Sequence, residues 1–128
     1  MDIDTDALAA DLARTLRGVA VDALPEAIER RLTGVPLNLL QVEMVKGQVH
    51  DDLFAFGPFT PVLADPMCTR IQVRGLHIHV ERRGRWSETN LRFWTDAHRT
   101  EHLGRLRVEG HTVVEVDGVI EVSRASEL

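Results

Sequence analysis

The stretch Val113-Val114-Glu115-Val116, Asp117-Gly118, Val119-Ile120-Glu121-Val122 constrains this chain more than any other feature. Two β-branched runs separated by Asp-Gly match a two-residue type I′ loop, whose left-handed backbone Asp and Gly accept most readily. The C-terminal part is therefore expected to contain an antiparallel sheet. In the 50 residues ahead of that hairpin, the pattern is again of strand type. Ile71 and Val73 fall on odd positions while Leu76, Ile78 and Val80 fall on even ones, with Gly75 between them. A strand cannot change its buried face without an inserted residue or a reversal. Either a β-bulge at Gly75 or a tight turn at Arg74-Gly75 satisfies the pattern, and the bulge is the reading taken. Arg82-Arg83-Gly84-Arg85 reverses the chain into a strand over 86–95, with Leu91 and Phe93 on one face and Trp94 on the other. Asp96 caps a short helical turn over 97–103 ending at Gly104, and Leu106 and Val108 start a further strand.

The N-terminal part follows a different period. Leu8, Leu12 and Leu16 recur every four residues, with Asp4, Thr5 and Asp6 before them and Gly18 after, which predicts a helix over 5–17. Asp22, Pro25, the stripe Leu24, Ile28 and Leu32, and the stop at Gly34 predict a second helix. Residues 37–53 fit both periods; the alternation of Leu40, Val42 and Met44 is read as a strand. The expected fold is α+β: two N-terminal amphipathic helices over 1–36 packed on a curved, mostly antiparallel sheet of about five or six strands within 37–128. At 128 residues the chain is expected to be one domain.

Composition narrows the function classes. The acidic start and the lack of an apolar run near the ~20 residues of a spanning helix point to a cytoplasmic protein without a membrane partner. One cysteine, Cys68, forms no intrachain disulfide and no multi-cysteine zinc cluster. The net charge is −5, yet nine arginines face four acids between Arg70 and Arg107. The Arg-rich 82–92 region, with Trp86, resembles in composition a surface that neutralises phosphates and stacks bases; overall acidity and Glu81, Glu88 and Glu101 argue against a nucleic-acid partner. Arg82, Arg83 and Arg85 are more simply a charged hairpin tip.

Histidines offer the other chemistry. His77 and His79 share one side of a strand, and His98 and His102 lie four apart on a helical turn, so each pair can present two imidazoles to zinc or another divalent metal. The simpler alternative makes His77, His79 and Glu81 a solvated strand face, and His98 and His102 an exposed helical turn. Arg99 occupies the place where a zinc protease carries its glutamate, which excludes that class. His50-Asp51-Asp52 reads as a solvated turn. No catalytic set or cofactor fingerprint is present, so the expectation is a non-enzymatic binding or assembly module acting through protein–protein contacts or self-association at a sheet edge or apolar surface. The alternatives are metal chemistry at His77, His79, His98 and His102, and nucleic-acid binding.

Overall fold

The computed structural model describes residues 3–124 and has an α+β fold that divides into two compact units, one ending at Gly57 and the other beginning at Pro58. The first unit is helical. Its α1 (Thr5–Thr15) starts at Asp4, whose carboxylate accepts the Ala7 N–H, and the chain leaves it through Gly18 at φ +96°. The second helix, α2 (Leu24–Leu32), has Pro25 in its first turn and ends near Gly34. Ala23, rather than Asp22, occupies its N-cap position, without a side-chain hydrogen bond. Leu12, Leu16, Ile28 and Leu32 are buried together with Val45 and Val49 of α3 (Leu39–Phe54).

That third helix corrects the strand reading of 37–53. Asn38 and Gln41 form a reciprocal capping box: Asn38 accepts the Gln41 N–H at 2.8 Å and Gln41 accepts the Asn38 N–H at 2.9 Å. Two otherwise unsatisfied helical donors are met there, which nucleates the first turn. Val45 and Val49 then form an i,i+4 buried stripe, and the apparent alternation of Leu40 and Met44 belongs to the opposite, exposed side. Phe54 is likewise exposed at the end of this helix.

The second unit opens with a 3₁₀ turn at Gly57–Phe59 and the short α4 (Thr60–Ala64). Three antiparallel strands follow, β1 (Cys68–Arg74), β2 (His77–Arg82) and β3 (Arg85–Arg92), then α5 (Asp96–Val108), and finally the hairpin β4 (Thr112–Val116) and β5 (Val119–Ser123). The sheet has five strands in the order β3-β2-β1-β5-β4. Asp117 and Gly118 have φ of +53° and +78°, as the Asp-Gly signal required.

The parity change at Gly75 is a turn, not a bulge: Arg74 pairs with His77 across Gly75-Leu76, and Gly75 takes φ +61°. The register shifts fall elsewhere, between Cys68 and Arg70 on β1 and between His77 and His79 where β2 meets β3. The strand expected to reach Thr95 stops at Arg92, and Thr95 rather than Asp96 caps α5 by accepting the His98 N–H at 3.1 Å. The helix then continues through Leu106 and Val108 instead of yielding a strand, because Leu103 and Leu106 extend its buried side and Gly104 is accommodated within it. Ile71, Val73, Ile78, Val80, Ile120 and Val122 fill one face of the sheet, on whose strands α4 and α5 pack.

Candidate functional site

The other face of the same sheet carries the polar residues. Cross-strand register places Glu88, His79, Gln72, Glu121 and Val114 in one row, and Arg92, His77, Arg74, Val119 and Val116 in the next. The β1–β3 half is thus charged, and the β4 edge is apolar. Val114 and Val116 are 49% and 63% exposed, a degree of exposure that burial of the opposite face does not require. With Val119, Gln72, Glu121 and Ser123 they line a shallow depression of about 240 Å³. Pockets for drug-sized molecules start near 300 Å³, so side chains of another polypeptide suit it better.

Beside that depression, Arg70 forms a bidentate pair with Glu121 at 2.8 and 3.0 Å. The guanidinium bonds hold the Glu121 carboxyl below its ordinary range, opposed by partial desolvation. Arg70 and Arg74 also lie over the Trp86 ring, 5.1 and 5.9 Å from its centroid. At the lower end of β1 and β2, Asp65 accepts the Met67 N–H at 2.9 Å and an Arg82 N–H at 2.8 Å. The backbone bond is the main cause of its lowered pKa, with the Cys68 thiol and Arg82 adding to it. Cys68 is fully buried, and its thiol donates to Asp65 at 3.5 Å.

The histidines fall in two settings. His77 and His79 lie on the open face of β2; His77 is half exposed, with Nδ1 3.4 Å from Glu88. His98 and His102 sit on the buried side of α5, where they are 9% and 0% exposed, so the expected exposed helical turn is corrected. Their rings meet edge to face at 4.7 Å, and a ring nitrogen of one lies within 4.8 Å of a ring nitrogen of the other. The structure brings this pair together and leaves His77 and His79 on the opposite, polar side of their strand.

Trp94 stacks on His98 at 4.2 Å and 10°, and the Trp94 N–H donates to His98 Nδ1 at 3.1 Å. A neutral imidazole accepting at Nδ1 carries its proton on Nε2. The ring thereby holds the residue before the N-cap Thr95, while Thr95 accepts the His98 N–H, so the entry of the chain into α5 is fixed from both sides. Asp52, read as part of a solvated turn, lies in the last turns of α3 and is 3% exposed.

No family model and no curated protein matches the chain. Among the described residues, no helix is long and apolar enough to cross a membrane.

Proposed function

We propose that this chain is a protein-binding module that accepts an extended segment of polypeptide at the β4 edge of its sheet, with the segment's side chains resting on Val114, Val116 and Val119. The observation that carries the reading is the concentration of exposed apolar residues of the sheet at an edge strand. Edge strands are ordinarily protected by bulges, prolines or lysines. Strand β4 has regular register and no proline or lysine, its one charge being Glu115 on the side of Ile120, whereas β3, the opposite edge, is bulged and begins and ends with arginine.

Backbone geometry supports the same occupant. In a two-residue hairpin Val116 and Val119 exchange hydrogen bonds, so Thr112, Val114 and Val116 direct their backbone groups to β5. Val113 and Glu115 direct theirs outward, where an added strand would find two N–H and two C=O groups. This mode needs no catalytic group, draws its affinity from main-chain bonds and takes its specificity from the depression. A second copy of the chain and a different protein can both supply such a strand.

A photo-crosslinker at position 116, used in the cells that make the protein, tests this reading. A discrete protein or dimer adduct is expected, lost on Val114→Lys in a protein whose melting is unchanged. No adduct above that from a crosslinker at the exposed Val108 would overturn it.

A second reading, a divalent metal held by His98 and His102, has the close approach of their ring nitrogens in its favour. Binding through His98 Nε2 would require release of the Trp94 amide from Nδ1 or loss of the Nε2 proton. Zinc titration followed by indole fluorescence tests it: saturable quenching abolished by His102→Ala supports a site, and a flat titration removes it.

A further inference from the structure

The acids of the open face have different partners. Glu81 and Glu121 are met by Arg70, at 3.8 and 2.8 Å. Glu88 instead holds an oxygen 3.4 Å from His77 Nδ1 and has no other partner among the described residues. That separation is long for a hydrogen bond, whose N···O distance is usually about 2.9–3.0 Å. It is the spacing of two ligands on one tetrahedral zinc, because bonds of about 2.0–2.1 Å at the tetrahedral angle set the donor atoms roughly 3.3–3.4 Å apart.

Strand register brings a second imidazole to the same carboxylate. The pair Arg82 and Arg85 closes the two-residue turn Arg83-Gly84, so, counting back from it, His79 and Glu88 form a non-hydrogen-bonded pair, the kind whose side chains lie closer. Beyond that pair β3 bulges: the step of two residues from His79 to His77 is matched by four from Glu88 to Arg92. Glu88 is therefore the last residue of β3 in regular register and leans diagonally to His77. Ile78 and Val80, both buried, fix the two histidines on the open side of β2. His79 makes no hydrogen bond or ion pair among the described residues, so its ring turns toward Glu88 without losing a partner.

We propose that His77, His79 and Glu88 bind a divalent transition-metal ion, zinc above all, through two imidazoles and one carboxylate, with a fourth position open to solvent. Imidazole donors favour zinc and its neighbours over calcium and magnesium, which take oxygen ligands. His77 and Glu88 are 50% and 59% exposed, which gives the ion a path of entry. Arg74 and Arg92 flank His77 in register. Arg74 carries its charge away from the site, since its guanidinium donates to Gln72 Oε1 at 2.9 and 3.3 Å and lies 5.9 Å from the Trp86 centroid. Arg92 stays in the row of His77 and weakens the attraction for a cation, so the imidazoles set the affinity. The site is separate from the His98 and His102 pair on the buried side of α5, and it does not depend on strand addition at β4.

The test titrates the full-length chain with zinc chloride in chelator-free buffer, followed by calorimetry and by the histidine ring signals in NMR. Saturable binding of one equivalent is expected, with shifts at the His77 and His79 rings; magnesium at the same concentration should give none. Loss of an outer-shell partner alone weakens metal sites by about tenfold to a hundredfold, so His79→Ala and Glu88→Gln should each cost tenfold or more. His50→Ala, at an exposed position in the helical unit, should cost nothing. Both site variants alter only the open face and should melt close to the parent in chelator, while zinc should raise the melting temperature of the parent and not of either variant. Absence of saturable binding, undiminished affinity in His79→Ala, or shifts confined to the His98 and His102 rings would each overturn the proposal. The last of these results would instead support the metal reading of that buried pair, and none of them bears on the crosslink from position 116.

Discussion

Replacing Arg124 by alanine should destabilise the protein far more than its position after the last strand suggests. Its guanidinium donates to the carbonyls of Val62 at 2.8 Å, Asp65 at 2.6 Å and Leu63 at 3.3 Å, and also to that of Cys68. These carbonyls belong to the end of α4, the loop into β1 and the first residue of β1; those of Val62 and Asp65 also accept the Asp65 and Cys68 backbone N–H at 3.3 and 3.2 Å, and the guanidinium supplies each with a further donor. One cation therefore closes the α4–β1 connection and fastens the end of β5 to it. A hydrogen bond to a charged group is worth about 1.5–3 kcal/mol, but the site is only part-buried and water can replace some partners. A loss of about 2–4 kcal/mol is the expected net. With an unfolding entropy near 2.1 cal/mol/K per residue over 128 residues, that corresponds to roughly 7–15 °C. Arg124→Lys should fall between parent and alanine variant, because an ammonium retains the charge but cannot span four acceptors. Differential scanning calorimetry and urea melts of the three proteins measure this. A change under about 0.5 kcal/mol for Arg124→Ala, the range of ordinary surface substitutions, would refute the reasoning.

Gly47 sits inside α3 with ordinary helical φ, and an added Cβ would meet nothing within 4 Å. Gly47→Ala should stabilise by about 0.5–1 kcal/mol in urea melts. Phe93 is 1% exposed and meets Phe59 edge to face at 5.2 Å, so Phe93→Ala should cost about 3–5 kcal/mol by the same assay. The Arg70 pair depresses the Glu121 pKa, so the stabilisation is present above the ordinary carboxyl range and is lost as pH falls through the folded value. Urea midpoints of parent and Glu121→Gln should therefore differ most at neutral pH and converge in acid; a constant gap would contradict this.

The elements legible in the sequence were those whose period, caps and stops agree: the Asp117-Gly118 hairpin, and the two helices ending near Gly18 and Gly34. Helix α3 was misread because Leu40 and Met44 are apolar on its exposed side, which imitates strand alternation, while the capping box of Asn38 and Gln41 went unweighed. The parity change at Gly75 correctly required a break in the strand, but periodicity alone does not separate an inserted residue from a reversal. For α5, Gly104 looked like a stop although His98, His102 and Leu106 already fell on one i,i+4 stripe. That stripe was also the available signal that these histidines are buried. The open face was less legible: alternation identifies its residues, but which strand forms an edge depends on the pairing of β1 with β5, a long-range contact that no local pattern encodes.

The most direct measurement of the central claim is amide hydrogen exchange at Val113 and Glu115, in the isolated chain and in the complex recovered through the crosslink at position 116. Both amides should exchange rapidly when the chain is alone and become protected in the complex, as the backbone of an added strand takes up their hydrogen bonds. Unchanged exchange at these two amides, with protection appearing on another surface, would contradict the account.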